Sequence, residues 1–235
     1  MVKITTSKDL NILEKKLDLK FNDQSLLKTA FTHRSYLNEN KGKVFEHNER
    51  LEFLGDAVLE LSITRFLYDK FPQKPEGELT ALRSALVNSV MLASISNELG
   101  FEDYLLLSRG ETKDTGRARQ YILANTFESV VGAIYLDQGY EIADKFIEKV
   151  LFPKLSHVEK NKLFVDAKSS FQEKAQEQTG FTPSYKTLRE IGPDHDKEFI
   201  VGLYIGTELI GEGKGKSKQE AETDAAKKGL EKKGW

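Results

Sequence analysis

The sequence predicts an all-α N-terminal domain that is followed by a small α+β domain. Two observations support this prediction. Apolar residues recur every three or four positions through much of residues 1–155, which is the period of amphipathic helices. From residue 166 onward the pattern changes to a short helix, three short strand-like segments and a final helix. We therefore expect domains at 1–155 and 166–235, joined by a mostly polar linker at 156–165.

The N-terminal domain is expected to consist of long helices that share one core. Apolar spacing indicates four of them, and prolines or glycines follow the first two. These helices are predicted at 49–71, 79–95, 122–136 and 140–152. A polar segment, SRGETKDTGRAR at 108–119, is predicted to be a loop between the second and third helices.

The C-terminal domain is predicted to have the element order α-β-β-β-α. Its helices are expected at 169–180 and 217–233, and its strands at 185–190, 198–204 and 208–213. The segments GPDHD and GT provide the turns between the strands. Ala221, Ala225, Ala226 and Leu230 fall on one face of the last helix, which we expect to be its inner face.

Composition narrows the class of protein. The chain has 235 residues, of which 39% are hydrophobic and 31% are charged, as is typical of a folded globular protein. The absence of cysteine excludes disulfides and thiolate metal sites. The sequence shows no signal peptide and no apolar run of membrane-spanning length, so we expect a cytoplasmic protein without a membrane partner. A net charge of -2 excludes a uniformly basic surface but permits local basic patches.

The segment ERLEFLGDAVLEL at 49–61 places three acids in an apolar helix. Glu49, Glu52 and Asp56 stand at i, i+3 and i+7 and therefore share one helix face. The segment NTFE places Asn125 and Glu128 at i and i+3 on another predicted core helix. If the two helices face each other, the cluster consists of Glu52, Asp56, Asn125 and Glu128, and its side chains offer oxygen ligands. Such a cluster suits Mg²⁺ or Mn²⁺ rather than Zn²⁺.

A cluster of this kind would activate a water molecule and stabilise charge on a phosphodiester that undergoes in-line attack. The alternative is that the acids form only the solvated face of amphipathic helices. Phe53, Leu54 and Gly55 lie between the acids and favour a site, but spacing alone leaves both interpretations open.

Several long motifs resemble those of the ribonuclease III family in order and spacing. In the N-terminal half they are FTHRSYLNEN (31–40), NERLEFLGDAVLEL (48–61), PEGELTALRSALVN (75–88) and ILANTFESVVGAIYLDQG (122–139). The C-terminal segments DAKSSFQEKAQ, PSY, GPDHDKEF and GEGKGKSKQEAETDAAKKGL are similar to the double-stranded RNA-binding domain of that family. The resemblance implies a bacterial-type homodimeric endoribonuclease that cleaves double-stranded RNA, leaving 5′-phosphate and 3′-hydroxyl ends with short 3′ overhangs. It implies Mg²⁺, with Mn²⁺ as a substitute, and no small-molecule cofactor. Processing of ribosomal RNA precursors and of mRNA is the expected role.

The resemblance also assigns roles to the acids. The residues that correspond to the metal ligands are Glu52, Asp56, Asn125 and Glu128. Asp56 and Glu128 are expected to be catalytic, with Glu49 and Glu76 in supporting roles in scission or site selection. Many family members have Asp where this chain has Asn125. An amide oxygen still ligates Mg²⁺ but contributes no negative charge.

Phe53 has two interpretations. Its position in the helix is compatible with a simple core residue. In the family, the equivalent aromatic residue inserts into a pocket of the partner subunit, and the resemblance therefore implies that Phe53 lies at a homodimer interface.

The C-terminal domain is expected to bind RNA through local geometry. Residues 166–235 contain 12 Lys and Arg and 13 Asp and Glu, so bulk attraction to RNA is absent. A-form RNA offers phosphates and 2′-hydroxyls to such a domain. The residues expected to contact them are Ser169, Gln172, Glu173, Gln176, His195, Lys214, Lys216 and Lys218. In the polar segment 108–119, the residues that could approach the RNA backbone are Arg109, Lys113, Arg117 and Arg119, although a flexible connector is equally open.

Two functions from different classes fit these features. The first is a metal-dependent ribonuclease, which the retention of five acids in the family positions favours. The second is a non-catalytic regulatory dimer that binds double-stranded RNA, and Asn125 is the residue that favours it.

Overall fold

The computed structural model describes residues 9–40, 42, 46–113, 115–160, 167–193 and 197–235. The described residues fall into two compact units, one on each side of residues 161–166. The first unit is helical and the second combines helices with an antiparallel sheet, so the predicted fold classes are confirmed. The predicted linker at 156–165 begins inside a helix, and residues 161–165 lie outside the described part of the chain.

The described part of the first unit contains nine α-helices. They are α1 (Leu10–Leu17), α2 (Gln24–Ala30), α3 (Arg34–Glu39), α4 (Glu49–Lys70), α5 (Glu76–Val87), α6 (Ser89–Glu98), α7 (Arg117–Gln138), α8 (Tyr140–Leu151) and α9 (Leu155–Lys160). Helix α7 is central, because α2, α4, α6 and α8 all pack against it. Its residues 122–134 are buried except for Asn125 and Glu128. Within residues 122–134, only these two polar positions are therefore open to other groups.

The prediction of a single helix at 79–95 is wrong, because two helices, α5 and α6, occupy this segment. Asn88 ends α5 with an extended backbone (ψ 159°). Its side-chain oxygen then accepts a hydrogen bond from the Met91 N–H at 2.9 Å and caps α6. Asparagine is among the best N-cap residues, because its side chain satisfies a backbone donor at the first turn. The chain bends by 43° at this point.

The second unit has the predicted order of elements. Helix α10 (Ala167–Thr179) precedes strands β1 (Ser184–Ile191), β2 (Glu198–Ile205) and β3 (Glu208–Gly215), and α11 (Lys218–Lys233) ends the unit. The sheet is antiparallel with β2 in the centre. Its core contains Phe171 and Leu203 together with the inner alanines of α11, as predicted for Ala221, Ala225 and Ala226.

Helix α11 lies unusually close to β3, and glycine permits this. A Cβ atom placed on Gly213 would lie 2.1 Å from the backbone oxygen of Ala221. The end of β3 and the first turns of α11 are therefore held in direct contact, which fixes where the lysines at this junction are presented.

Within the described ranges, no single helix is both long and apolar enough to cross a membrane. The bent pair formed by α5 and α6 meets the criteria of length and composition when its two parts are taken together.

Candidate active site and RNA-binding surface

The candidate active site is built where α4 crosses α7. A Cβ atom on Gly55 of α4 would lie 1.8 Å from the backbone oxygen of Glu128, and one on Gly132 of α7 would lie 2.3 Å from the backbone oxygen of Leu51. Any side chain at either glycine would push the helices apart, so the two backbones are in direct contact. This contact places Glu128 beside the acidic face of α4.

Electrostatic coupling shows that the acids of α4 and α7 are neighbours. The pKa of Glu128 is raised from 4.5 to about 8, first by burial and then by the charges of Asp56 and Glu52. Burial disfavours an ionised carboxylate, and like charges nearby disfavour it further. Glu128 therefore takes up a proton near neutral pH unless a cation is bound close to it.

The two acids of α4 respond in the same direction. The pKa of Glu52 is raised by burial and by the charges of Glu49 and Asp56, while a hydrogen bond with the Asn125 side chain lowers it. The pKa of Asp56 is raised by burial and by Glu60, one helical turn away. Because a carboxylate only accepts hydrogen bonds, the Asn125 amide donates to Glu52. Asn125 thus lies in the cluster, as the sequence pattern predicts.

The four side chains of the cluster offer the ligands that a hard cation prefers. Three carboxylates and one amide supply only oxygen ligands, which suits a hard divalent ion. Among the described residues, no group of three or more His, Cys, Asp or Glu side chains is already arranged to hold a metal ion. The acids are thus close enough to repel one another without forming a closed cage.

Glu49 and Glu76 are in different environments. Glu49 begins α4, where Nη1 of Arg34 lies 3.2 Å from its Oε1 and Nδ1 of His47 lies 3.8 Å from its Oε2. Its charge contributes to the raised pKa of Glu52. Glu76 begins α5, and its Oε1 accepts a hydrogen bond from Thr80 Oγ1 at 2.8 Å. Glu76 is not among the described acids whose charges shift the pKa of Glu52, Asp56 or Glu128. Glu49 is therefore coupled to the cluster and Glu76 is not.

Phe53 is not a core residue. Its side chain on α4 is 83% exposed. It borders a cavity of about 790 Å³, which Leu26, Leu54 and other residues also line. An aromatic ring with this exposure beside a partly apolar cavity is typical of an interface residue.

The predicted RNA-binding residues of α10 form one exposed face. The exposed residues of this face are Ser169, Gln172, Glu173 and Gln176. They alternate at helical spacing with the buried residues Ala167, Phe171 and Ala175, which face the core. The Gln176 amide donates to Thr182 Oγ1 at 3.3 Å, which restrains it at the end of the face.

The three predicted lysines lie at the junction of β3 and α11, and their side chains are exposed. The backbone N–H groups of Lys214 and Lys216 donate to Asp224 and Glu220, each at 2.9 Å, so the backbone of the junction is fixed. Lys218 Nζ lies 3.4 Å from Oε1 of Glu190, at the end of β1. The junction is therefore adjacent to the end of β1, and the predicted contact His195 lies outside the described residues.

Comparison with known proteins identifies the family. A family model described as Ribonuclease-III-like matches residues 23–155, and one described as Double-stranded RNA binding motif matches residues 167–233. Ribonuclease 3 of Enterococcus faecalis is 45% identical over 223 residues, which cover 93% of this chain and 94% of that protein. The chain belongs to the ribonuclease III family. Ribonuclease 3 of Geobacillus kaustophilus is 44% identical over 93% of this chain and 89% of its own length.

Solved structures agree with this family assignment. The nuclease domain of ribonuclease III from Campylobacter jejuni is 41% identical, with a TM-score of 0.55, and the match covers 62% of this chain and 99% of that domain. That work describes structural flexibility in a region involved in dimer formation of the nuclease domain.

Two structural features of this ribonuclease III chain are missing from the sequence-based prediction. The first is the glycine pair Gly55 and Gly132, which sets the distance between α4 and α7. The second is the contact between Arg117 and Tyr121 on the same side of α7 as Asn125. Arg117 by itself was predicted as a loop residue that could approach the RNA backbone, but it begins α7. Glycines at helical spacing within two acid-bearing core helices were a usable signal for the first feature.

Proposed function

We propose that this endoribonuclease cleaves double-stranded RNA by hydrolysing phosphodiester bonds with a divalent metal ion, Mg²⁺ or Mn²⁺, at the acidic cluster. The observation that supports this proposal is the raised pKa of Glu128, which burial and the charges of Asp56 and Glu52 produce. A protein retains such a costly group where its ionised form has a task. A metal ion bound here would activate water and stabilise the charge that develops on the phosphate.

The protein residues have distinct roles in this proposal. Asp56 and Glu128 are the catalytic ligands, since they come from the two crossing helices and can approach one ion from both sides. Glu52 completes the carboxylate set, and the Asn125 amide orients it through their hydrogen bond. Glu49 adds negative charge at the edge of the cluster, whereas Glu76 is assigned to the choice of the scission site.

The homodimer is part of the same proposal. A two-fold axis would place Phe53 of each subunit at the cavity beside Phe53 of the other, which would remove two exposed rings from water. The same symmetry would present one acidic cluster to each strand of the duplex. Two offset cuts would give short 3′ overhangs, with 5′-phosphate and 3′-hydroxyl ends.

The C-terminal unit is proposed to hold the duplex. The exposed face of α10 offers polar side chains to a minor groove, and the lysines at the start of α11 offer cations to phosphates. His195 is retained as a predicted minor-groove contact. A cytoplasmic location and roles in ribosomal RNA precursor and mRNA processing also stay predictions.

A cleavage assay tests the central proposal. The whole protein is incubated with a perfect RNA duplex and Mg²⁺, Mn²⁺ or a chelator, beside Glu128→Gln. We expect metal-dependent cleavage that the variant loses while it still binds the duplex. Tight binding without cleavage by the unmodified protein in either metal would contradict nuclease activity.

That second outcome would support the non-catalytic RNA-binding dimer, which the neutral Asn125 favours. Asn125→Asp then decides whether the missing charge is the cause. Restored cleavage in this variant would show that the site fails only because it attracts the metal too weakly.

A further inference from the structure

The face of α7 that carries the cluster continues toward the start of the helix. Arg117, Tyr121, Asn125 and Glu128 are spaced by four, four and three residues and so lie along one side. With a rise of about 1.5 Å per residue, Tyr121 is about 6 Å and Arg117 about 12 Å from Asn125 along the helix axis. Both side chains are exposed, and Tyr121 is 44% exposed. An exposed aromatic and a cation therefore extend the acidic site.

Arg117 and Tyr121 hold each other in a defined arrangement. Arg117 Nη2 donates to the Tyr121 hydroxyl at 3.3 Å, and Cζ of the guanidinium lies 5.7 Å from the centroid of the ring. Both contacts restrain a side chain that is otherwise flexible. A guanidinium has five N–H donors. Within the described part of the chain, the ion pairs between arginine and a carboxylate involve other arginines than Arg117. Arg117 can therefore still bind an anion.

The base of this pair is fixed by its neighbours. Arg119 donates to the backbone oxygen of Glu111 at 2.8 Å, and its side chain is only 13% exposed. Gln120 Nε2 donates to Ser89 Oγ at 3.2 Å on the adjoining helix α6. Arg119 therefore serves the fold, whereas Arg117, two residues earlier, faces outward from an anchored helix turn.

We propose that Arg117 and Tyr121 form a positioning pair that binds a backbone phosphate of the RNA next to the one that is cleaved. This inference rests on the proposed nuclease function. The acids of the cluster repel the phosphates of the substrate, and a fixed cation at the edge of the site offsets this repulsion. Arginine suits the task because its planar fork binds phosphate with two donors, and Tyr121 reduces the conformational freedom lost on binding.

The test uses the full-length protein and a short RNA duplex. The variants are Arg117→Ala, Arg117→Lys, Tyr121→Ala and Tyr121→Phe, and Lys149→Ala on the exposed side of α8 is the matched control. For each we measure kcat and KM in Mg²⁺ at several salt concentrations, together with the melting temperature. A structural role alone would lower the melting temperature without changing the salt dependence.

Arg117→Ala is expected to lower kcat/KM about tenfold, mainly through KM. The slope of log(kcat/KM) against log[salt] should become shallower by about 1, because one phosphate contact is lost. Arg117→Lys should keep the slope and lose several-fold in kcat/KM. Tyr121→Ala should resemble Arg117→Lys, Tyr121→Phe should stay within about twofold of the original, and Lys149→Ala should change nothing.

An unchanged KM and salt slope in Arg117→Ala would overturn the inference while leaving the nuclease function intact. If the unmodified protein does not cleave RNA at all, the proposed function fails instead. The same variants are then compared by duplex binding in Mg²⁺, where an unchanged salt slope for Arg117→Ala again overturns the positioning pair and a shallower slope supports it.

Discussion

Glu128→Gln should stabilise the metal-free protein at alkaline pH. The folded protein binds the Glu128 proton up to a pKa of about 8, whereas the unfolded chain releases it near 4.5. Below both values the acid is neutral in either state and costs nothing. As pH rises through this window the folded state is progressively destabilised relative to the unfolded chain, because Glu128 ionises freely in the unfolded chain but not beside Asp56 and Glu52. Glutamine keeps the shape of the side chain and removes the charge.

The magnitude follows from the size of the shift. A displacement from 4.5 to about 8 corresponds to roughly 5 kcal/mol as an upper bound, at about 1.4 kcal/mol per pKa unit. Glu128 is only partly buried, and its neighbours can take up a proton in its place, so we expect about 1–3 kcal/mol. The gain of the variant over the original protein should therefore be small at pH 5, just above the pKa of the unfolded chain, and should reach this amount at pH 8.5.

The assay is urea unfolding in the presence of a chelator at the two pH values. Far-UV circular dichroism is the appropriate signal, because the only tryptophan, Trp235, packs on Phe171 in the second unit and does not report on α7. Glu148→Gln, at an exposed position of α8, is the control and should show no gain at either pH. A Glu128→Gln gain that is the same at pH 5 and pH 8.5 would refute the electrostatic reasoning. Added Mg²⁺ should narrow the difference at pH 8.5 by stabilising the original protein.

Three further predictions concern the helix crossing, the dimer and RNA binding. Gly55→Ala should destabilise the first unit by about 1–3 kcal/mol and abolish cleavage, because its Cβ would overlap the facing backbone. Gly77→Ala, where the added Cβ meets nothing within 4 Å, should do neither. Chemical denaturation and a cleavage assay measure the two effects. Phe53→Ala should weaken self-association at least tenfold in sedimentation equilibrium. It should not lower monomer stability, because the ring is 83% exposed. An unaltered dimer would show that Phe53 is not part of the interface. Lys214→Ala should weaken duplex binding and reduce its salt slope by about 1, and Lys227→Ala farther along α11 should not; equal salt slopes in the two variants would contradict a phosphate contact at Lys214.

The sequence was sufficient to place the two helices of the site but not the distance between them. Acids and apolar residues at helical spacing locate α4 and α7, because the helical period is a property of the backbone alone. Their close crossing depends on Gly55 meeting Glu128 and on Gly132 meeting Leu51, which are contacts between residues far apart in the chain. Such pairings cannot be recovered from spacing within one segment.

Local capping explains the main error in the helices. The apolar pattern from 79 to 95 continues across Asn88, so periodicity predicted one helix. The side chain of Asn88 competes for the backbone donor of Met91 and starts a new helix at Ser89. Helical spacing is preserved across this cap while the axis bends by 43°, and a pattern of apolar residues does not register such a bend.

Asn125 links the stability of the fold to the strength of the site. An aspartate in its place would add a fourth carboxylate to a cluster whose three members already have raised pKa values. The amide instead donates to Glu52 and partly offsets the rise in the pKa of that residue, and it adds no like charge to the cluster. The same substitution withholds one negative charge from a bound cation. We therefore expect Asn125→Asp to bind a metal ion more tightly than the original protein. We also expect it to be less stable than the original protein when no metal is bound.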